Sequence, residues 1–262
     1  MSAADVAVLR ALRANAPAPV PSGDLVRAAS QTQIELGRTI DALREAGYKI
    51  EAQGEEGYVF RSAPDRLIAD DLRAGLDEVL IGREIIMLEQ TGSTNDFLLQ
   101  IAGPQVGEGL VVFAETQTAG RGQHGNRWAS ASRKGLWFSV LLRPRIALAD
   151  SPRLTTWIAQ SIAGSISREL SVIATVKPPN DVYVADRKVA GVLVEMRAAE
   201  RSHIAIAGVG INVNQQLEDF PLEFQSRAGS LAMVSGRPID RRELAVAVLR
   251  DLDRTYRETF AL

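Results

Sequence analysis

Residues 119–128 form a glycine- and arginine-rich segment whose composition suits the binding of an anion. They read A-G-R-G-Q-H-G-N-R-W, and their glycines match the G-x-G-x-x-G spacing of dinucleotide-binding loops. In those loops a helix follows, and its N-terminus faces a pyrophosphate. Here an apolar strand is predicted before the segment, at 110–115. Residues 129–135 after it lack a helical apolar period and lead into another predicted strand at 136–142. The segment therefore predicts a strand-loop-strand unit that holds an anion without a Rossmann-type helix.

Three further clusters carry side chains capable of chemistry. They are Gly92-Ser93-Thr94-Asn95, Lys177-Pro178-Pro179-Asn180-Asp181 and the run from Arg187 to Glu195. Each also has a structural interpretation when it is taken alone. The hydroxyls of the first cluster suit a helix cap, the Asn-Asp pair suits a turn, and the lysine at 188 suits a turn between strands.

Composition and charge exclude several kinds of site. The 262 residues include no cysteine and two histidines, which excludes disulfides, zinc-thiolate centres, thiol nucleophiles and multi-histidine metal sites. The formal charge of −2 gives no general attraction to nucleic acid or to an anionic membrane. The sequence has neither a signal-peptide pattern nor an apolar membrane span. We therefore expect a soluble, cytoplasmic protein without a membrane partner.

The first 64 residues predict a winged helix-turn-helix. Apolar periodicity indicates helices at 4–15, 23–29 and from Thr32 to 46, and a hairpin follows at 48–60. Thr32 and Glu35 form a capping box, while Ser30 with Gln33 offers a competing register. Three short helices followed by a hairpin are typical of this DNA-binding fold.

Residues 65–262 predict a second domain of the α+β class. Apolar runs indicate strands at 85–89, 110–115, 136–142, 175–177, 182–184, 189–196 and 204–209, and helices at 95–102, 152–170 and 241–260. Short turns between neighbouring strands favour a mixed or antiparallel sheet with helices packed on it.

Taken together and in this order, the clusters resemble the motifs of biotin protein ligases. That family carries an S-T-N segment, a G-R-G-x-x-G-x-x-W loop, a K-W-P-N-D stretch and an R-K-x-A-G-x-L-V-E strand. The resemblance extends to Gly208-Val209-Gly210-Ile211-Asn212. The winged helix is similar to that of the bifunctional ligase-repressor subgroup. The resemblance implies a mixed-sheet catalytic domain similar to class II aminoacyl-tRNA synthetases.

The resemblance also implies a reaction and its residues. Biotin and ATP would form biotinyl-5′-AMP with Mg²⁺, and the biotin would pass to a lysine of a biotin carboxyl carrier protein. Arg121 and Lys188 would be the catalytic cations that stabilise developing negative charge. The expected biotin pocket comprises Ser93, Thr94, Asn95, Gln117, Gly120, Arg121, Lys188, Gly191 and Leu193. The expected ATP or adenylate side comprises Gly122, Gln123, Trp128, Lys177, Asn180, Asp181 and Asn212, with Asp181 and Asn212 as metal ligands.

The sequence departs from the family pattern at three places. Pro178 replaces a tryptophan, which predicts weaker packing beside the nucleotide, and Gln123 replaces an arginine. The subgroup usually continues into a C-terminal β-barrel, whereas this sequence stops at Leu262. A reduced ligase, or one with diminished turnover, is therefore expected.

The DNA-binding role has opposing indications. Residues 1–61 carry seven basic and eight acidic side chains, a net charge of −1, and the wing contains Glu55 and Glu56. Gln31, Gln33 and Arg38 are the expected base-reading residues, acting in a homodimer that forms with bound ligand. The alternative for this domain is a structural appendage that does not bind DNA. For the whole protein, the alternatives to a biotin ligase are a biotin-sensing regulator with little ligase activity and a lipoate-type ligase.

Overall fold

The computed structural model of the chain describes residues 2–198 and 203–260. Contacts between residues divide the chain into two compact units, Met1–Asp77 and Glu78–Leu262.

The first unit is a winged helix. Its elements are α1 (Ala3–Asn15), α2 (Ser22–Ala29), α3 (Gln33–Glu45), β1 (Lys49–Ala52), β2 (Tyr58–Ser62) and α4 (Ala69–Ala74). The predicted capping box at Thr32 is confirmed, because Thr32 Oγ1 accepts from the backbone of Glu35 and Glu35 accepts from the backbone of Thr32. That second hydrogen bond lowers the pKa of Glu35. The competing register is wrong, since Ser30 is the left-handed C-cap of α2.

The core of this unit lies where the three helices meet the hairpin. The predicted apolar stripes of α1 and α3 are buried in it, with Leu12 and Leu36 fully covered. Helix α4 joins the same unit, beyond the boundary expected at residues 64 and 65. Arg10 Nε donates to Ala74 O at 2.9 Å, so residues 65–77 pack with α1.

The second unit is built on a mixed seven-stranded sheet, as the α+β prediction requires. Its strands are β3 (Ile85–Thr91), β4 (Val111–Gln117), β5 (Gly135–Leu142), β6 (Ala174–Lys177), β7 (Asp181–Val184), β8 (Arg187–Ala198) and β9 (His203–Asn212). They lie in the order β3-β4-β5-β9-β8-β7-β6. β3 and β4 run parallel, and the other neighbouring pairs run antiparallel.

Helices cover both faces of this sheet. They are α5 (Thr94–Ile101), α6 (Ser151–Leu170) and α8 (Arg241–Thr259), while the short helix α7 (Leu231–Ser235) lies between β9 and α8 in the chain. Leu98 of α5 packs against Leu141 and Ile206 on one face. Successive side chains of a strand alternate between the two faces. The strand residues next to Leu141 and Ile206 therefore point to the opposite face, toward Trp157 of α6 and Leu252 of α8. The candidate site described next lies on the α5 face.

Candidate active site

Three glycines on the central strands form the floor of a cavity of about 300 Å³. Gly191 of β8 lies opposite Gly210 of β9, and Gly208 lies one pleat further along the same face. A Cβ at Gly208 would overlap Asn95, one at Gly210 would overlap Trp128, and one at Gly191 would lie 2.8 Å from the ring of Trp128. The glycines therefore allow α5 and the loop carrying Trp128 to approach the sheet.

The S-T-N cluster forms the first turn of α5 and joins a buried polar network. The backbone N–H of Thr94 donates to Gln117 Oε1 at 2.9 Å. Ser139 Oγ lies 2.7 Å from Thr94 Oγ1 and 2.6 Å from Asn95 Oδ1. Ser93 is the N-cap residue, but its side chain makes no capping hydrogen bond. The simple capping interpretation therefore does not account for the Ser93 hydroxyl.

Residues 120–128 form a hairpin-like loop over this cavity. Gly122 N donates to Asn126 O at 2.7 Å, and Trp128 N donates to Gly120 O at 2.9 Å. The loop contains one short 3-10 turn and leads into β5 without an α-helix between them. The predicted strand-loop-strand arrangement is confirmed.

Arg121 extends from this loop to two carboxylates. Its Nη2 lies 2.6 Å from Asp96 Oδ1 and 2.7 Å from Glu195 Oε2, and the latter oxygen also accepts from Asn95 Nδ2 at 2.8 Å. Burial acts to lower the pKa of Arg121, but the hydrogen bonds and charges of Glu195 and Asp96 raise it above its usual value. An anionic ligand must therefore compete with two carboxylates for this guanidinium.

Lys188 places a second cation at the same cavity. It lies in β8 beyond the turn at residues 185–186, and its Nζ is 2.6 Å from Asp181 Oδ1. The ammonium also lies 5.5 Å from the ring centroid of Trp128, within the range of a cation-π contact. Lys188 is therefore oriented by an acidic and an aromatic partner.

A second cavity of about 230 Å³ adjoins the first. Five residues line both cavities, namely Asn126, Arg127, Trp128, Asp181 and Lys188. The second is otherwise lined mainly by aromatic side chains and one arginine, which are Tyr183, Phe220, Phe224 and Arg227. Two linked cavities with a lysine at their junction suit a reaction that joins two substrates.

Comparison with known proteins identifies the family. Residues 87–212 match the Biotin/lipoate A/B protein ligase family. The bifunctional ligase/repressor BirA of Bacillus spizizenii is 36% identical over 220 residues, which cover 84% of this chain and 68% of the relative. The biotin–[acetyl-CoA-carboxylase] ligase of Mycobacterium tuberculosis is 34% identical, with 70% of this chain and 72% of the relative aligned. The chain belongs to the biotin protein ligase family.

A solved structure agrees with this assignment. The biotin protein ligase from Aquifex aeolicus in complex with biotin and ATP superimposes with a TM-score of 0.57 at 31% identity. The match covers 68% of this chain and 73% of that one. The family resemblance inferred from the motifs and the mixed-sheet α+β fold are confirmed.

Most of the residues expected from the family motifs meet at these two cavities. The first is lined by Ser93, Thr94, Asn95, Gln117, Arg121, Gly122, Gln123, Trp128, Asn180, Asp181, Lys188, Gly191 and Leu193. Gly120 is the first residue of the loop, and an added Cβ there would be 2.6 Å from Trp128 O. The absence of a side chain therefore allows the two ends of the loop to approach each other.

Lys177 and Pro178 line neither cavity. Lys177 lies on the edge strand β6, with its Nζ 5.6 Å from the ring centroid of Tyr183. Because Tyr183 lines the second cavity, Lys177 lies beside a lining residue, and its role on the nucleotide side stays a prediction. Pro178 replaces the family's tryptophan outside both cavities, and its neighbour Pro179 lines the first.

The two expected magnesium ligands differ in their surroundings. The Asn212 side chain lines the second cavity but is buried, and it donates to Gly229 O at 3.0 Å and accepts from Gln215 Nε2 at 3.1 Å. Within residues 2–198 and 203–260, no three His, Cys, Asp or Glu side chains are grouped to hold a metal. Mg²⁺ is often bound by one or two carboxylates together with substrate phosphates. Asp181 fits that role, whereas the amide of Asn212 is engaged in shaping the following loop.

Several residues of the site were not predicted from the sequence. Asp96 and Ser139 contact the lining residues Arg121 and Thr94, and Tyr183, Phe220, Phe224 and Arg227 line the second cavity. Phe220, Phe224 and Arg227 follow β9 in a segment without a family motif. The signal that was available is the presence of aromatic and basic residues within 15 positions after the G-V-G-I-N strand.

The three expected DNA-reading residues differ in exposure. Gln33 and Arg38 are exposed on α3. Gln31 is half-buried, and its amide nitrogen donates to Thr39 Oγ1 at 3.0 Å, so the role of all three in reading bases stays a prediction. Among the helices that the structure describes, none combines the length and apolar character needed to cross a membrane.

Proposed function

We propose that this protein is an ATP-dependent biotin ligase. It joins biotin to AMP and then transfers the biotin to a lysine of a biotin carboxyl carrier protein. The observation that carries this proposal is the pair of adjoining cavities with Lys188 at their junction, in a chain whose relatives are named biotin ligases. Biotin occupies the cavity above the glycine floor, and ATP occupies the aromatic and basic cavity.

The first step forms a mixed anhydride. A carboxylate oxygen of biotin attacks the α-phosphorus of ATP, and the bond from that phosphorus to pyrophosphate breaks. Lys188 lies where the two substrates meet, so its ammonium stabilises the negative charge that develops on the phosphate oxygens. Asp181 would hold a Mg²⁺ ion, which would supply positive charge for the remaining phosphate oxygens.

The second step transfers the biotinyl group. The neutral amine of the carrier lysine attacks the anhydride carbonyl, the bond to AMP breaks, and the amine loses a proton to form the amide. Arg121 and Lys188 stabilise the oxygen that becomes negative at the carbonyl. The loop at 120–128 keeps water from the anhydride, which would otherwise hydrolyse.

A second function, the binding of operator DNA, is favoured by the winged helix. Gln33 and Arg38 lie on the exposed face of α3, and the Bacillus relative is named a ligase/repressor. We propose that a ligand-bound homodimer recognises a palindromic site. The acidic wing predicts few phosphate contacts and therefore a shallow dependence of affinity on salt. A cytoplasmic location is part of this proposal.

The test is incubation with ATP, Mg²⁺, biotin and a carrier domain, followed by mass measurement of the carrier. We expect one added biotin, and none on a carrier whose target lysine is replaced by arginine. Lipoate in place of biotin should give no product. Tight biotin binding without labelling would contradict the ligase and favour the biotin-sensing regulator.

A further inference from the structure

The cations at the second cavity differ in whether they already have acidic partners. Lys188 is paired with Asp181 at 2.6 Å. Arg227 and Arg127 also line this cavity, and neither forms an ion pair with a carboxylate in the described part of the chain. Their positive charge is available to a ligand without displacing a protein group.

Arg227 is held beside Lys188 by the backbone. The segment after β9 returns to β8, where Lys188 N donates to Arg227 O at 2.8 Å and Gly229 N donates to Lys188 O at 3.1 Å. Arg187 secures this arrangement, since its Nη1 donates to Gln225 O at 3.2 Å and Ala228 O at 2.9 Å. The backbone that carries Arg227 is therefore fixed against the strand that carries the catalytic lysine.

The guanidinium of Arg227 also has an aromatic neighbour. Its central carbon lies 5.0 Å from the ring centroid of Phe224, which lines the same cavity together with Phe220 and Tyr183. Flat apolar rings offer packing surfaces for a planar base, while a guanidinium makes paired hydrogen bonds to phosphate oxygens. This combination matches a nucleotide whose phosphates extend beyond its base.

We infer that Arg227 binds the β- and γ-phosphates of ATP and the pyrophosphate that leaves. This inference rests on the proposed ligase function. Arg227 lines the second cavity only, whereas Lys188 lines both. Lys188 therefore serves the α-phosphate that meets biotin, and Arg227 serves the distal phosphates. Arg227 is a determinant of the preference for ATP over AMP.

The test is the substitution Arg227→Gln, with Arg237→Gln as the matched control. Arg237 is also exposed and lines a separate surface groove. Binding of ATP, AMP and biotin is measured by calorimetry, and the KM values for ATP and carrier by initial rates. Because a charge-assisted hydrogen bond is stronger than a neutral one, we expect Arg227→Gln to weaken ATP binding about tenfold. AMP and biotin affinities should change less than about twofold, since neither ligand carries the distal phosphates.

Two further results complete the test. Arg227→Lys should recover part of the ATP affinity, because it restores the charge without the paired geometry. Equal losses for ATP and AMP, or a raised KM for carrier with ATP unaffected, would overturn the assignment. A wild-type protein that releases no pyrophosphate in the presence of biotin would instead contradict the proposed function. The two failures are therefore distinguishable.

Discussion

The loop at 120–128 lines both cavities and the segment at 214–230 lines the second, but the two regions differ in how Arg121 and Arg227 are used. Arg121 in the first loop contacts Asp96 and Glu195, so its charge is compensated before a ligand arrives. Arg227 in the second segment contacts an aromatic ring and no carboxylate among the described residues. The first loop is held by the ion pairs of Arg121, whereas the second segment is held by hydrogen bonds from Arg187 to its backbone carbonyls. A basic residue at a cavity is therefore not by itself a free binding charge.

The largest expected effect concerns Lys188, which lines both cavities. Replacing Lys188 by alanine should lower the rate of adenylate formation by a factor of about 10² or more, because it removes a preorganised charge at the reacting phosphate. Single-turnover pyrophosphate release measures this step. Lys49→Ala, on the exposed hairpin strand β1, should retain the wild-type rate. Unaltered release in the Lys188 variant would mean that Lys188 is only a strand residue beside a turn.

The next effect tests whether the hydrogen bonds from Arg187 hold the second segment alone. Arg187→Gln should raise the KM for ATP about fivefold, because the lost hydrogen bonds to Gln225 and Ala228 loosen the segment that carries Arg227. The affinity for biotin should stay unchanged, since the biotin cavity is built by the other loop. The control is Arg250→Gln, on the exposed face of α8. Equal losses of ATP and biotin binding would mean that Arg187 supports the whole sheet rather than one segment.

The same contrast explains what the sequence could predict. The glycines of the first loop and of the floor form a spaced pattern, because backbone and ring approach each other only where no Cβ intervenes. The capping box of α3 and the apolar runs of the strands are likewise local, and so they were predicted. In the second segment no close backbone contact requires residues at fixed spacing. Its aromatic residues therefore belong to no sequence motif, and their role was not predicted.

The partners that were missed come from distant parts of the chain. Arg121 meets Asp96 from α5 and Glu195 from β8, and these contacts form only when the sheet assembles. Ser139 lies in an otherwise apolar strand, where nothing local indicates a role in a polar network.

Two helices, α4 and α7, were also not predicted. They are too short to give a clear apolar period.

A several-fold effect is expected at Gln123 in the first loop. Its side chain lines the biotin cavity and makes no hydrogen bond among the described residues, whereas the family has an arginine there. Gln123→Arg would add charge-assisted contacts to the adenylate. We expect biotinyl-adenylate to dissociate several-fold more slowly from this variant than from the natural chain. Release is followed in the absence of carrier, with Gln105→Arg, outside both cavities, as the control. Equal release rates would mean that other residues already close the loop.

The smallest expected effect concerns the charge compensation of Arg121. Asp96→Asn removes one of its two carboxylate partners while keeping the size of the side chain. The carboxylate of biotin then competes with Glu195 alone, so biotin should bind about twofold more tightly, in keeping with the small contribution of exposed ion pairs. Biotin methyl ester has no negative charge, and its affinity should be the same for both proteins. Calorimetry at low and high salt measures the difference, which should shrink as salt screens the charges. If the ester gains as much affinity as biotin does, the substitution acts by loosening the loop, and the two carboxylates of Arg121 serve to hold the loop rather than to oppose the ligand.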